Sequence, residues 1–152
     1  MVTAGRDEGS CRFEQAVLAE QLRFAVAGLR AAGLPRVQVA LTPLSEAGER
    51  IAAAAAAELA ATSADTVIDR DRVAGHGYYR DVCFKVNALV NDMPAEIGDG
   101  GGFTDWTARL LASKKERLLI SGYGLDRLAA LIDGQGLAAD AAQAGSASPD
   151  RQ

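Results

Sequence analysis

With 152 residues, a formal charge of −4 and a pI near 5.0, the chain is sized for one acidic domain. That balance argues against a general nucleic-acid-binding surface, which needs clustered Lys and Arg to displace counterions from phosphates. Cys11, Cys83 and the single histidine, His76, lack metal-ligand spacing, so no metal site is expected and both thiols should be free.

Residues 1–10 are charged and Gly-containing, with no apolar stretch of signal-peptide type, and read as disordered. No segment is long enough to span a bilayer, and a soluble, cytoplasmic protein is expected. Over 12–32, Leu18, Leu22, Ala25, Val26 and Leu29 share one helical face, and Gly33 and Pro35 end the helix. A short strand follows over 37–41. Thr42-Pro43 offers an N-cap with proline at the first helical position, opening an alanine-rich helix that runs to about residue 61. Its bare alanine face over 52–57 suits close packing within the chain or against a second copy.

Strands come next. Residues 66–68 form one candidate, and 79–90 a longer one in which Val82, Phe84, Val86 and Ala88 alternate with Asp81, Cys83, Lys85 and Asn87. Turn formers over 91–94 predict a hairpin with 95–98 as the returning strand, and Gly100-Gly101-Gly102 reads as a permissive loop. A helix over 104–113 should turn Trp106, Leu110 and Leu111 inward. The basic cluster Lys114-Lys115-Glu116-Arg117 reads as a solvated helix end. The last strand spans 118–123 and the last helix 124–133, where Leu125, Leu128, Leu131 and Ile132 recur at helical spacing. Residues 138–152 are rich in Ala, Ser, Gly and Asp and read as a tail. The fold class is α+β, a mostly antiparallel sheet flanked by helices, with a single domain over 11–137.

Gly122 and Gly124 leave a bare backbone surface at a strand end, and Arg127 follows near a helix N-terminus that favours an anion. An ordinary tight turn with a solvated arginine, paired to Asp126 or Asp133, fits the same residues. Tyr78 and Tyr79 could line a small-molecule pocket or simply start a core strand. Gly100 and Gly101 could admit a ligand to the backbone, and Glu96 and Asp99 could meet an ammonium group or Mg²⁺. His76 has no acid partner in sequence and reads as a loop histidine.

Three segments, in order, resemble the C-terminal half of the class II aminoacyl-tRNA synthetase core, with histidyl-tRNA synthetase and the regulatory subunit of ATP phosphoribosyltransferase as the nearest relatives in pattern. Residues 73–84, VAGHGYYRDVCF, resemble V-R-G-L-D-Y-Y-T-G-x-V-F-E; residues 100–106, GGGFTDW, are similar to G-G-R-Y-D-x-L; and residues 122–128, GYGLDRL, match G-x-G-x-x-R and the family's G-L-E-R-L. The likeness covers roughly residues 66–132. It implies a reduced synthetase-like sheet, an ATP site drawing on Gly122, Gly124 and Arg127, and an amino-acid pocket drawing on Tyr78, Tyr79, Gly100 and Gly101.

The departures bear on activity. The family arginine before the pocket glycine is Ala74 here, the acid before the tyrosine pair is Gly77, the glutamate after Phe84 is Lys85, and the arginine of G-G-R-Y-D is Gly102. Nothing over 1–65 reads as the motif 2 that grips the ATP α-phosphate, and no anticodon-binding domain follows Asp133. No catalytic residue is therefore assigned. The resemblance implies a non-catalytic binding or regulatory protein for a small amino acid, a nucleotide or a protein partner. The alternative it allows is an ATP-dependent amino-acid ligase that needs a second synthetase-like chain. A homodimer is a third expectation.

Overall fold

A computed structural model describes residues 1–134; the expected tail over 138–152, and the end of the expected domain, lie outside the described residues. Nine elements follow in chain order: β1 (Val2–Arg6), α1 (Arg12–Ala31), β2 (Val37–Pro43), α2 (Glu46–Leu59), β3 (Asp65–Ile68), β4 (Arg80–Val90), β5 (Met93–Gly102), α3 (Thr104–Leu110) and β6 (Glu116–Tyr123). Residues 125–134 are again helical. The strands form one open sheet in the order β1-β6-β5-β4-β2-β3, antiparallel throughout except for the β2–β3 pair. The expected α+β class is what the chain adopts.

Helix α1 follows its apolar periodicity: Phe13, Val17, Leu18, Leu22, Ala25, Val26 and Leu29 are all buried. It ends where Gly33 takes a left-handed φ of 88°, with Gly33 N–H donating to Arg30 O and Leu34 N–H to Leu29 O, both at 3.0 Å. Helix α2 buries Ile51, Ala52, Ala55 and Leu59. The two helices pack together and against the sheet, and Val39, Leu41, Val82, Phe84, Val86 and Leu119 complete one core. Burial of this apolar surface is the main stabilising term, at about 25 cal/mol per Å².

Four local expectations are corrected. Residues 1–10 are not disordered, because β1 pairs with β6 in register from Val2 opposite Ile120 to Arg6 opposite Glu116. The Gln21 amide on α1 donates to Thr3 Oγ1 at 2.9 Å and accepts from Ser121 Oγ at 2.9 Å, tying both strands to the helix. Thr42 and Pro43 do not start α2. They stay in β2 opposite Cys83 and Val82, and Ser45 is the cap, its Oγ accepting from Gly48 N–H at 3.1 Å.

The third correction is the glycine run, which is strand and not loop. Asn91 and Asp92, at φ 51° and 64°, make a two-residue turn, and β5 then runs from Met93 through Gly102 between β4 and β6. The fourth concerns α3, which ends at Leu110 and buries Thr107. Trp106, Leu110 and Leu111 are 46%, 63% and 57% exposed, because the short helix is held to β6 through Thr104 Oγ1, which accepts from Leu118 N–H at 3.3 Å.

Candidate functional site

Side chains alternate across a sheet, so each strand residue belongs to one face. Phe84, Val86 and Leu119 face the helices. Lys85, Asp99 and Gly122 sit opposite one another on β4, β5 and β6 and face the other way, onto an open side of the sheet. No side chain shields Gly122, where an added Cβ would meet nothing within 4 Å.

Asp99 is the centre of this face. The Tyr79 hydroxyl donates to its Oδ2 at 3.2 Å, and Arg72 Nη2 donates to the same oxygen at 3.4 Å. Both bonds fall on Oδ2. Beside it, Lys85 Nζ pairs with Glu96 Oε2 at 2.6 Å. Burial, and then the charge of Asp99, push the Tyr79 phenol well above its usual range, so it is a hydrogen-bond donor at neutral pH. Burial likewise raises the Cys83 thiol, which is no ready nucleophile.

Arg72 arrives from the segment between β3 and β4. Asp69 Oδ1 accepts from the N–H groups of Asp71 and Arg72, both at 3.1 Å, turning the chain back over the sheet. Arg72 Nε then donates to Ala74 O at 2.8 Å. Its side chain is only 5% exposed, and Nη1 is buried with no partner, as is Thr42 Oγ1. An unpaired buried donor costs about 1–3 kcal/mol. Sequence reasoning missed Arg72 because it looked for a cation immediately before Gly75. The signal was present three residues before that glycine, just after a turn-forming aspartate.

The predicted site residues separate into groups. Tyr79 and Gly122 share the open face with Asp99. Gly101 is on that face too but is covered: a Cβ there would fall 2.7 Å from Tyr79 Cδ1. Gly100 faces the helices, where a Cβ would fall 2.5 Å from Phe84 Cζ, so it lines no ligand surface. Arg127 is exposed in the first turn of the 125–134 helix and donates to Glu96 O at 2.8 Å; among the described residues neither Asp126 nor Asp133 pairs with it. Gly124 N–H donates to Ile97 O at 2.8 Å, which anchors the start of that helix to β5. His76 is exposed in the loop and borders a small hollow with Ser45 and Asp81.

A cavity of about 860 Å³ lies away from Asp99. It opens at the N-terminal end of β4, between α3 and the start of α1, and both Tyr78 and Tyr79 line it, the Tyr79 hydroxyl reaching away to Asp99. The two tyrosine rings meet edge to face with centroids 4.9 Å apart. Among the described residues no group of three or more metal-ligating side chains converges, and no helix is long and apolar enough to cross a membrane.

An open antiparallel sheet backed by helices, with a strand–Gly-x-Gly–helix at its end, has the architecture of a reduced class II synthetase core. The structure of apo histidyl-tRNA synthetase from S. aureus superposes with a TM-score of 0.68 over 89% of this chain, at 18% sequence identity. The chain spans 39% of that synthetase's length. At such identity the likeness establishes a shared fold. No protein-family model and no curated protein matches the sequence.

Proposed function

We propose that this chain is a non-catalytic binding protein on a histidyl-tRNA synthetase-like sheet, taking a small α-amino acid on the open face. The observation that carries the reading is Asp99. Tyr79 and Arg72 both occupy its Oδ2, which orients the carboxylate and leaves Oδ1 for an ammonium group. Arg72 Nη1 is unpaired and buried, and becomes the donor for a ligand carboxylate oxygen once the ligand displaces what covers it. An opposed acid and guanidinium match the two charges of an amino-acid backbone. The bare strand at Gly122 gives the ligand a flat floor.

Binding without turnover follows from the substitutions at Ala74, Gly77, Lys85 and Gly102 relative to the family pattern, and from the lack of a recognisable motif 2. Thermal-shift and calorimetric titration with histidine, other amino acids, AMP and ATP tests the reading. One or more amino acids should stabilise the protein, Asp99→Asn should abolish the shift, and pyrophosphate exchange should be absent. Exchange by the isolated chain, or no stabilisation by any amino acid, contradicts it. A second reading, a ligase completed by another synthetase-like chain, draws on Arg127. Its exposed guanidinium holds only the Glu96 carbonyl among the described residues and is free to turn toward an ATP phosphate. AMP release on adding a co-purified partner, lost in Arg127→Ala, would favour that reading.

A further inference from the structure

We infer that the cavity beyond Tyr78 is a second binding site, for a planar aromatic ring that carries an anionic group. The observation is an aromatic row turned toward solvent. Tyr78 and Phe103 have ring centroids 4.9 Å apart, and Phe103 and Trp106 stack at 6.1 Å with planes 28° apart. Tyr78 is 58% exposed, and Trp106 is also well exposed on the same wall. Rings left open to water in this way form a platform for a further ring, since offset stacking is favourable beyond simple burial.

The charges around the row specify the sign of the ligand. Every lining carboxylate makes an ion pair, Asp7 and Glu14 (through Oε1) with Arg117, and Asp81 and Asp105 with Arg80, while Glu14 Oε2 is buried without a partner. Two lining cations have no carboxylate partner among the described residues. Arg109 Nε donates only to the Asp105 carbonyl, at 3.2 Å, and Lys114 is exposed and makes no ion pair. The lining sums to zero, four cations against four carboxylates, but Arg109, one helical turn from Trp106, and Lys114 leave unpaired positive charge beside the aromatic row. The volume lies within the roughly 300–1,000 Å³ of small-ligand sites. Asp99 is not among the lining residues, and the two sites adjoin across Tyr79, whose ring lines the cavity while its hydroxyl turns to Asp99.

Trp106 is the only tryptophan in the chain, so its fluorescence reports directly on the platform. Titration with AMP and with phenyl phosphate, against benzoate, adenosine and inorganic phosphate, distinguishes a nucleotide from a simple aryl anion. Saturable quenching by AMP alone identifies a nucleotide site, and quenching by phenyl phosphate or benzoate as well identifies a general aryl-anion site; either supports the inference. Arg109→Gln and Lys114→Gln are exposed changes that should each weaken binding about tenfold, the worth of one charge-assisted contact. Tyr78→Ala should weaken it too, while Asp99→Asn, which keeps an acceptor for the Tyr79 hydroxyl, should change it far less than the cation variants do, which distinguishes this result from the amino-acid reading. Absence of saturable quenching by any of the three aromatic anions, or quenching that adenosine reproduces and the cation variants leave intact, overturns the inference.

Discussion

The ring of Tyr79 lies against the backbone of Gly101, so closely that a methyl group on that glycine would sit 2.7 Å from Cδ1 and 2.8 Å from Cγ. The contact levels the ring on the sheet, and its hydroxyl then reaches Asp99. One glycine thus sets the donor that orients the central carboxylate of the open face.

Gly101→Ala should therefore press on both the Tyr79 ring and the Val82 carbonyl oxygen, 2.6 Å from the new methyl, and cost about 1–3 kcal/mol, the usual range for overpacking a fitted site. Gly122→Ala supplies the matched control, because its new methyl would meet nothing within 4 Å. Urea denaturation should show Gly122→Ala within about 0.5 kcal/mol of the parent, as surface changes are. Equal losses in the two variants would assign the effect to glycine in a strand and remove the ring contact from the explanation.

Tyr79 also predicts an alkaline limit to stability. Its folded pKa is raised, by burial first and by Asp99 second, above an ordinary value of 10.0. The native state then holds the phenolic proton more tightly than the unfolded chain does. This contribution is complete below the unfolded pKa and is lost as pH rises above it toward the folded value. Stability should fall beyond about pH 10, and Tyr79→Phe should flatten part of that limb, the buried Tyr123 phenol supplying the rest. Ultraviolet titration should show two of the three phenols resisting ionisation, Tyr79 and Tyr123, which burial also raises, and Asp99→Asn should move Tyr79 back toward the ordinary range.

Gly48 makes the closest approach between helix and sheet. A Cβ there would overlap the Asp81 carbonyl oxygen, which already accepts from Leu44 N–H at 2.7 Å. Asp81 has little freedom to retreat, since its φ is 64° and its Oδ1 accepts from Ser45 Oγ at 2.7 Å. Gly48→Ala should cost about 3 kcal/mol, the upper part of the overpacking range, despite the better helix propensity of alanine. A thermal midpoint at or above that of the parent would refute the close packing of α2.

What was legible in the sequence followed local chemistry. The apolar stripe of α1, its Gly33 stop and the alternation of Val82, Phe84 and Val86 are set by neighbours in the chain, and they appear as expected. What was not legible depends on distant partners. Val2–Arg6 has too little pattern to announce a strand, and its ladder is made with residues 116–120. The glycines of β5 suggest a loop until Phe84, Tyr79 and Tyr123 are seen to occupy the space their side chains would fill. Arg72 escaped because a buried guanidinium is recognised by what surrounds it, and Asp99 lies 27 residues away in sequence. Trp106 and Leu110 repeat at helical spacing yet remain exposed, since periodicity gives a stripe and not what covers it.

The attachment of β1 can be tested at Arg117. Its guanidinium donates to Asp7 Oδ2 at 2.8 Å and to Glu14 Oε1 at 2.9 Å, joining the end of β1, the first turn of α1 and the start of β6. Glu14 Oε2 is buried with no partner, so this carboxylate depends on Arg117 for its compensation. Arg117→Met keeps the length and apolar stem but leaves a largely buried charge unpaired. A fully buried pair loses about 3–5 kcal/mol on such a change; partial exposure here reduces the expected loss to about 2 kcal/mol. Adding Glu14→Gln to Arg117→Met should recover part of it, because the stranded charge is gone. Hydrogen exchange should show the β1 amides deprotected in the single variant while those of β4 keep their protection. Uniform deprotection across all strands would mean that β1 unfolds only with the whole domain.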